Sequence, residues 1–310
     1  MIIVEMTIFV MEDLKGLKIY ITLTDFYNNF YINQSVFRLY KEHPDMFKEP
    51  TAIVGSSGSF PFNYWNGGYN SNEGKFLLKV EYEDLERNTY MPIRLDYSNI
   101  FLREDAFQNS YNNTILKIFN TGSHYVEVSN LALLEYIKNV YPLMKSVFSS
   151  KADIFYTLTP DIVNKAIQEG GMDIVSLPAK YIENNEFLNG LQYKNQIEIP
   201  VNTVCGVCDN LQQENCIKTE HFSQYNFSGN SVFNSCTKCL NGNKCLINFD
   251  FEKLKELTKK GFNKFLVNSF PKTKDPNGLL FVEFFVDYFI KDEYKFMAQS
   301  FILQGKENHI

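Results

Sequence analysis

Segments with strand character and segments with helix character alternate about seven times along this chain of 310 residues. Short runs rich in β-branched residues, such as Thr51–Ser57 and Tyr125–Ser129, are each followed by a longer run. In Leu131–Tyr141, for example, apolar residues recur at intervals of three and four, as they do on one face of a helix. Such alternation with short connections is typical of βα units built around parallel strands.

The predicted βα units provide most of the strands that a closed barrel requires. Lys18–Leu23 adds a strand near the start and brings the number to about eight, and a closed (βα)8 barrel fits a chain of this length. We therefore predict one (βα)8 TIM-like barrel domain over 1–310. A doubly wound open sheet is the alternative, although no GxGxxG motif follows any strand. The other predicted strands are Pro92–Tyr97, Val147–Ser150, Asp173–Leu177, Gln196–Asn202 and Asn263–Asn268. The other predicted helices are Arg103–Phe119, Pro160–Glu169, Asn185–Leu191, Phe251–Lys260 and Gly278–Met297.

Charge and hydropathy exclude several classes of protein. The net charge of −6 provides no field that would attract nucleic acid, and the absence of arginine beyond Arg103 disfavours an enzyme that clamps phosphate. No apolar run is long enough to span a membrane. The apolar stretch Met1–Val10 has no basic start and contains Glu5, so we predict a strand there and not a signal peptide. We expect a cytoplasmic protein.

All six cysteines lie between positions 205 and 245. Two C-x2-C knuckles, Cys205–Cys208 and Cys236–Cys239, can each direct two thiolates at one ion. Cys216, His221 and Cys245 are further candidate ligands. The spacing predicts a metal-binding insertion over 205–245, with zinc or an iron–sulfur cluster as the metal, because both take soft thiolate ligands. The insertion follows the strand Gln196–Asn202 at its C-terminal end. In (βα)8 barrels the active site lies at this end of the strands. The alternative is a set of reduced cysteines that bind no metal.

Three polar residues close predicted strands at that same end: Asp96, Asn202 and Asn268. They are the candidates for contact with a substrate, although an Asp at such a position is often only a loop cap. Ser129, Ser149 and Ser150 also follow strands. No histidine is placed to activate them, which disfavours a Ser-His-Asp hydrolase.

Several motifs resemble the collagenase-like peptidase family of unknown catalytic type. The resemblance covers 124–216 and includes YVEVSNLALLEYIKNVY, MDIVSLPAKYIENNEFL and IEIPVNTVC. Weaker matches lie at 58–68, with the segments GSFP and WNGG, and at 262–275, with FNKFLVNSFPKTKD. Together they span about half of the chain.

The resemblance implies a (βα)8 barrel with a [4Fe–4S] cluster held by four cysteines near the barrel mouth. Cys205 matches the first ligand and Cys216 the second, either Cys236 or Cys239 matches the third, and Cys245 would be the fourth. Cys208 has no counterpart in the family. The known activities are peptidase-like cleavage and oxygen-independent hydroxylation, and some members work as paired subunits.

The chain also departs from the family pattern. A family histidine is replaced by Asn202, and a family acid and arginine are replaced by Asn268 and Phe270. The first functional hypothesis is therefore an iron–sulfur enzyme that acts on a small or peptide substrate, with its substrate changed or its activity lost. The second is a non-catalytic barrel with a structural zinc knuckle that serves as a binding or partner subunit.

Overall fold

Eight parallel strands close into a barrel in the computed structural model, which describes residues 18–27, 29–61, 63, 65–66, 77–203, 247–269, 275 and 277–307. Each strand pairs with the next along the chain, and the last pairs with both the seventh and the first. The barrel strands are β1 (Ile19–Leu23), β2 (Thr51–Gly58), β3 (Ile93–Tyr97), β4 (Tyr125–Val128), β5 (Lys145–Phe148), β6 (Ile174–Ser176), β7 (Ile197–Pro200) and β10 (Lys264–Val267). Two further short strands, β8 (Asn202–Thr203) and β9 (Ile247–Asn248), form an antiparallel pair outside the barrel.

Helices connect successive strands and surround the barrel. They are α1 (Phe30–Glu42), α2 (Lys79–Asn88), α3 (Ser110–Phe119), α4 (Leu131–Val140), α5 (Asp153–Tyr156), α6 (Pro160–Gln168), α7 (Asn185–Gly190), α8 (Phe251–Lys259), α9 (Leu279–Phe289) and α10 (Lys295–Glu307). Within the described residues, every helix is too short or too polar to cross a lipid bilayer.

The helix boundaries follow local chemistry. The Asn130 side chain accepts hydrogen bonds from the amides of the first turn of α4, and Thr159 and Asp250 do the same for α6 and α8. Pro160 occupies the first turn of α6, where its missing N–H has no partner to lose. Gly171 follows α6 with φ of 60°, in the left-handed region that glycine adopts without strain.

The apolar core lies between the barrel strands and the helices. On each strand one set of alternate residues faces outward and is buried against the helices; Ile21, Leu95 and Phe265 are examples. The amphipathic helices present Val36, Leu133 and other apolar residues to these strands. The hydrophobic contacts that stabilise the fold are therefore outside the barrel wall, which leaves the inward-facing positions available for polar residues.

An aromatic cluster lies where the chain leaves β2. Phe60 and Trp65 follow β2 and are fully buried. Phe60 makes edge-to-face contacts with Phe26 and Tyr82, and Trp65 makes one with Tyr97. The preceding Gly58 lies so close to Phe26 that a Cβ atom there would be 2.9 Å from the Phe26 amide nitrogen. Glycine at this position permits the close approach of the two backbones.

The closed barrel confirms the predicted fold and excludes the open sheet. The predicted strand boundaries agree with the observed ones to within two residues. The single closing helix predicted over Gly278–Met297 is wrong, because the chain leaves α9 at Ile290, where an extended backbone bridges to Phe47, and then begins α10. The predicted helix Arg103–Phe119 is likewise divided at Asn109, whose extended backbone caps α3. The strand predicted over 1–10 and the insertion 205–245 lie outside the described residues.

A buried histidine links β3 to α2 at the opposite end of the barrel. The Nδ1 atom of His124 accepts a hydrogen bond from the Ile93 amide at 3.0 Å, and its Nε2 atom lies 3.5 Å from the Glu86 carboxylate. This arrangement requires Nδ1 to be unprotonated. Burial lowers the pKa of His124 below its ordinary value, although Glu86 opposes the effect.

We predict that acid destabilises the protein partly through His124. Its pKa is lower in the folded state, so its contribution is fully present above the unfolded pKa of about 6.5 and is lost as the pH falls below that value and through the lower pKa of the folded state. Urea unfolding of wild type and His124→Gln between neutral and mildly acidic pH measures this contribution. The wild-type free energy of unfolding should fall more steeply with acid than that of the variant, and parallel curves would contradict the prediction.

Candidate active site

Charged residues occupy the interior of the barrel, which we call the lumen. The strand register places Arg94 and Asp96 of β3 on the same face as Glu127 of β4. Through β5 and β6 the same face continues to Glu198 of β7. In most (βα)8 barrels layers of branched aliphatic side chains fill this space. A lumen with charged groups from several strands is therefore a feature that packing alone does not require.

An ion pair crosses the lumen. Arg94 donates two parallel hydrogen bonds, each of 2.6 Å, to the two carboxylate oxygens of Glu198. Because β3 and β7 are four strands apart in the closed barrel, the pair joins opposite walls. Burial alone would lower the pKa of Arg94, but the charge and hydrogen bonds of Glu198 outweigh it and raise the pKa. Both side chains are almost fully buried.

A second ion pair lies nearer to the C-terminal mouth, which is the end of the barrel where the strands finish. Lys151, in the loop after β5, donates to Asp96 at 3.0 Å and to the Ser98 hydroxyl at 2.7 Å. Asp96 also accepts hydrogen bonds from the amide and the hydroxyl of Ser98. Asp96 thus holds a cation and a hydroxyl at the mouth, which is more than the loop-cap interpretation of this residue requires.

Glu127 lies between these two pairs. Its Oε1 atom accepts a hydrogen bond of 2.6 Å from the Ser149 hydroxyl, and its Oε2 atom is 3.6 Å from Nη1 of Arg94. Burial raises the pKa of Glu127 and the neighbouring Asp96 raises it further, whereas Arg94, Lys151 and the Ser149 hydroxyl oppose the increase. The net pKa is raised, which favours the neutral carboxylic acid. Asp96, Ser98, Glu127, Ser149 and Lys151 form what we call the mouth cluster.

Two lysine–tyrosine contacts occupy the opposite end of the lumen. The Lys264 ammonium lies 6.0 Å from the Tyr20 ring centre, and the Lys145 ammonium lies 5.3 Å from that of Tyr125. Burial lowers the pKa of Lys264, and Glu198 opposes this. Because bulky aromatic rings lie at this end, the C-terminal mouth is the expected route for a ligand.

Asn202 and Asn268 lie together at the C-terminal rim, as the sequence predicted for strand ends. The Asn202 side chain donates to the Asn268 carbonyl at 2.8 Å and accepts from the Asn268 amide at 2.8 Å. The Asn268 side chain donates to the Asn202 carbonyl at 2.6 Å. Each amide is thereby engaged with the backbone of the other residue. The observed contacts join the ends of β7 and β10, and a catalytic part for these two residues stays a prediction.

The described residues on either side of the cysteine-containing segment pair with each other at the same rim. Asn202 pairs with Asn248, and Thr203 pairs with Ile247, in the antiparallel strands β8 and β9. β8 directly follows β7, so Thr203 and Ile247, the described residues on either side of 204–246, lie at the C-terminal side of the barrel. The candidate metal ligands Cys205, Cys208, Cys216, Cys236, Cys239 and Cys245, together with His221, lie outside the described residues.

Sequence reasoning selected Asp96 but missed Arg94, Glu127, Lys151 and Glu198. A signal was present, because buried parallel strands are expected to be almost continuously apolar, yet charged residues occur in IRLDY, YVEV and IEIP. In IRLDY they alternate with apolar residues, which is the period of a strand whose two faces differ. Ser149 was considered only as a nucleophile, whereas it is a hydrogen-bond donor to Glu127.

Fold and site define a (βα)8 barrel with a charged lumen and a polar C-terminal mouth. No protein-family model matches the chain, and no curated protein matches it. Among solved structures, it is similar to one described as the U32 peptidase Mk0906, with 11% sequence identity and a TM-score of 0.49. The alignment covers 83% of this chain and 95% of that one. A likeness at this level assigns neither a family nor an activity to the chain.

We predict that the charges of Arg94 and Glu198 are strongly interdependent. Arg94→Leu leaves Glu198 buried without a close cation and should lower the free energy of unfolding by about 3–5 kcal/mol. Glu198→Leu should cost less, since Arg94 can then turn to Glu127. The double variant should be more stable than Arg94→Leu, because no buried charge lacks a partner. Urea unfolding of the three variants measures these differences, and losses that simply add would contradict the interpretation.

A further prediction concerns the rim. Asn202→Ala removes two hydrogen bonds between the ends of β7 and β10, and Asn268→Ala removes one. We expect Asn202→Ala to lower the free energy of unfolding by about 1–3 kcal/mol and Asn268→Ala to lower it by less. Denaturant titration of both variants tests this order. Equal stability of Asn202→Ala and wild type would show that the bonds contribute nothing.

Proposed function

We propose that the chain is a barrel protein of the collagenase-like peptidase type that holds a metal–thiolate centre in 205–245 and binds a small polar or peptide substrate at its C-terminal mouth. The single observation that carries the proposal is the position of β8 and β9. They hold Thr203 and Ile247, the described residues on either side of the cysteine-containing segment, at the same end of the barrel as the mouth cluster. A group bound by that segment and a substrate bound at the mouth would be neighbours.

The donor set fits a metal centre. Six thiols within one segment exceed the four that either a tetrahedral zinc ion or a [4Fe–4S] cluster requires. A cluster would be held by Cys205, Cys216, Cys236 or Cys239, and Cys245, as the family resemblance implies. A zinc ion would be held by the two C-x2-C knuckles. When bound, an iron–sulfur cluster supplies one-electron redox chemistry.

The chain's own residues would bind and orient the substrate. Lys151 and Asp96 present a cation and an anion side by side, and Ser98 adds a hydroxyl. The pair suits a ligand that both donates and accepts hydrogen bonds, such as an amide. Beneath it, the Arg94–Glu198 pair crosses the lumen with two parallel hydrogen bonds. We infer an oxygen-independent hydroxylase-type or peptidase-like activity for a protein of this construction.

The second hypothesis is a non-catalytic barrel with a structural zinc knuckle that serves as a binding or partner subunit. One observation favours it. Asn202 and Asn268, which replace a histidine and an acid of the family pattern, bind each other's backbone across the rim. Side chains used in this way stabilise the backbone where the cysteine-containing segment joins the barrel. A structural metal site requires such support.

Metal analysis of the protein purified under anaerobic conditions separates the two hypotheses. The first predicts about four irons and four sulfides per chain, with a brown colour and absorbance near about 400 nm. The second predicts a colourless protein with about one zinc per chain. Protein that contains neither metal after anaerobic purification, and that takes up neither on reconstitution, would refute both.

Substitution of single cysteines tests the assignment of ligands. Cys205 belongs to a knuckle by spacing and is the first cluster ligand by resemblance, so Cys205→Ser should abolish metal binding with either metal. Cys208 has no counterpart in the family, so Cys208→Ser should abolish binding only if the metal is zinc. Metal content and protease sensitivity of the two variants are the measurements. Full occupancy in Cys205→Ser would overturn the assignment.

A further inference from the structure

We propose that Glu127 is a neutral carboxylic acid at the C-terminal mouth and donates a hydrogen bond or a proton to an uncharged acceptor, such as an amide oxygen or a ring nitrogen, on the ligand held there. The inference deepens the proposed function, on which it rests, by assigning the donor of the mouth and the chemical class of its ligand. The pairing of the charges in the lumen supports this assignment.

The described cations and carboxyl groups around Glu127 match each other without it. Arg94 binds both oxygens of Glu198 at 2.6 Å, and Lys151 binds Asp96 at 3.0 Å. Glu127 is a third carboxyl group beside these two cations. Each cation lies closer to another carboxylate, Arg94 to Glu198 and Lys151 to Asp96. An ionised Glu127 would therefore add an unmatched negative charge to a buried site, which is strongly unfavourable.

A neighbouring carboxylate increases this cost. Asp96 and Glu127 are direct partners in the register of β3 and β4, where adjacent strands lie about 4.8 Å apart, and both side chains face the lumen. Two carboxyl groups so placed resist simultaneous ionisation. Lys151 and two bonds from Ser98 hold Asp96 as an acceptor, so the proton is expected on Glu127. The raised pKa of Glu127 agrees with this division of roles.

Other charged groups near the site are already engaged. Lys264 lies at the lower end of the lumen, where its ammonium donates to the Asn195 carbonyl and acts electrostatically on Glu198. Tyr125, two residues before Glu127 on β4, is in contact with Lys145 and has a raised pKa because it is buried. Neither residue supplies Glu127 with a cation.

The contacts of Glu127 assign separate tasks to its two oxygens. Oε1 accepts from the Ser149 hydroxyl at 2.6 Å, which fixes the carboxyl group in place. Oε2 is 3.6 Å from Arg94, which is beyond hydrogen-bond distance, so this oxygen can carry the proton and donate it elsewhere. The exposed fraction of the side chains rises from 1% at Glu198 to 9% at Glu127 and 13% at Asp96. The acid is therefore on the side of the lumen that solvent reaches.

The surroundings also select the ligand. Ser57 and Ser176 are inward-facing by strand register, and they add hydroxyl groups to the wall near Arg94 and Glu198. An anionic ligand would meet Asp96 at the mouth, and the Lys151 ammonium beside it is already paired with that carboxylate. A neutral molecule with an acceptor atom instead takes the hydrogen bond of Glu127 without placing a new charge in the lumen.

Labelling with dicyclohexylcarbodiimide tests the proposal on the full-length protein. This apolar reagent reacts with protonated carboxyl groups: the carboxyl oxygen bonds to the central carbon and the proton moves to one nitrogen. At neutral pH, peptide mapping should find the label on Glu127 and not on Asp96 or on the exposed Glu135. Glu127→Gln is the matched control and should lose it. Absence of label from wild-type Glu127 would overturn the proposal.

Three variants test whether charge pairing is the cause. Glu198→Gln frees Arg94 to pair with Glu127, and Asp96→Asn removes the neighbouring anion, so each stabilises the ionised form and should reduce labelling of Glu127 at least about twofold. Ser149→Ala removes a donor that favours the ionised form and should leave labelling unchanged or increased. Asp96→Asn provides the test if Glu198→Gln does not fold. Equal labelling in Asp96→Asn and wild type would contradict the mechanism.

Acetamide and acetate provide the ligand test, because they have the same shape and differ in charge. Acetamide should slow the labelling of Glu127 and acetate should not. Equal protection by both, or protection by neither, would overturn the assignment of a neutral ligand. Metal content measured on the same samples separates the two proposals. If the protein contains metal but Glu127 is not labelled, only the inference of a neutral Glu127 is refuted. If Glu127 is labelled but the protein contains no metal, only the proposed metal centre is refuted.

Discussion

The ion pair between Arg94 and Glu198 is the interaction on which the rest of the interior depends. Isolated charges are costly inside a protein, and two charges on opposite walls of a barrel are acceptable only when they meet with good geometry. The two parallel hydrogen bonds of 2.6 Å satisfy that condition. They also join β3 to β7 across the lumen, which is polar at this level.

The pair determines the chemistry above it. Because Arg94 is engaged by Glu198, it does not neutralise Glu127, and because Lys151 is engaged by Asp96, no second cation takes its place. The mouth cluster consequently contains an ion pair and a carboxyl group that is neutral. An acid beside a carboxylate is the arrangement through which many enzymes move protons, and here it arises from the way in which five side chains divide two positive charges.

The sequence was sufficient to predict the barrel but not its interior. Alternating strand and helix patterns located every barrel strand, because hydrophobic period and short connections are local properties of the chain. The pairing of Arg94 with Glu198 joins residues 104 positions apart, and no local pattern connects them. The division of the closing helix at Ile290 was missed for a related reason. Its cause is an extended backbone that bridges to Phe47, a contact far away in the sequence.

Asp96, Asn202 and Asn268 were predicted to close strands at the C-terminal end of the barrel, and β3, β7 and β10 end within two residues of them. Their partners could not be predicted. Asn202 and Asn268 bind each other's backbone, and this depends on the closure of the barrel between β7 and β10. The cysteines were recognised from spacing alone, and their metal stays a prediction.

The central claim, that paired charges leave Glu127 neutral, is tested most directly by infrared spectroscopy of the folded protein at neutral pH. The carboxylic-acid C=O stretch reports the protonation state of a buried carboxyl group without added reagent or substrate. The account predicts one such band in wild type that is absent from Glu127→Gln and shifts in deuterated water. A wild-type spectrum with no carboxylic-acid band, or with a band that persists in Glu127→Gln, would contradict it.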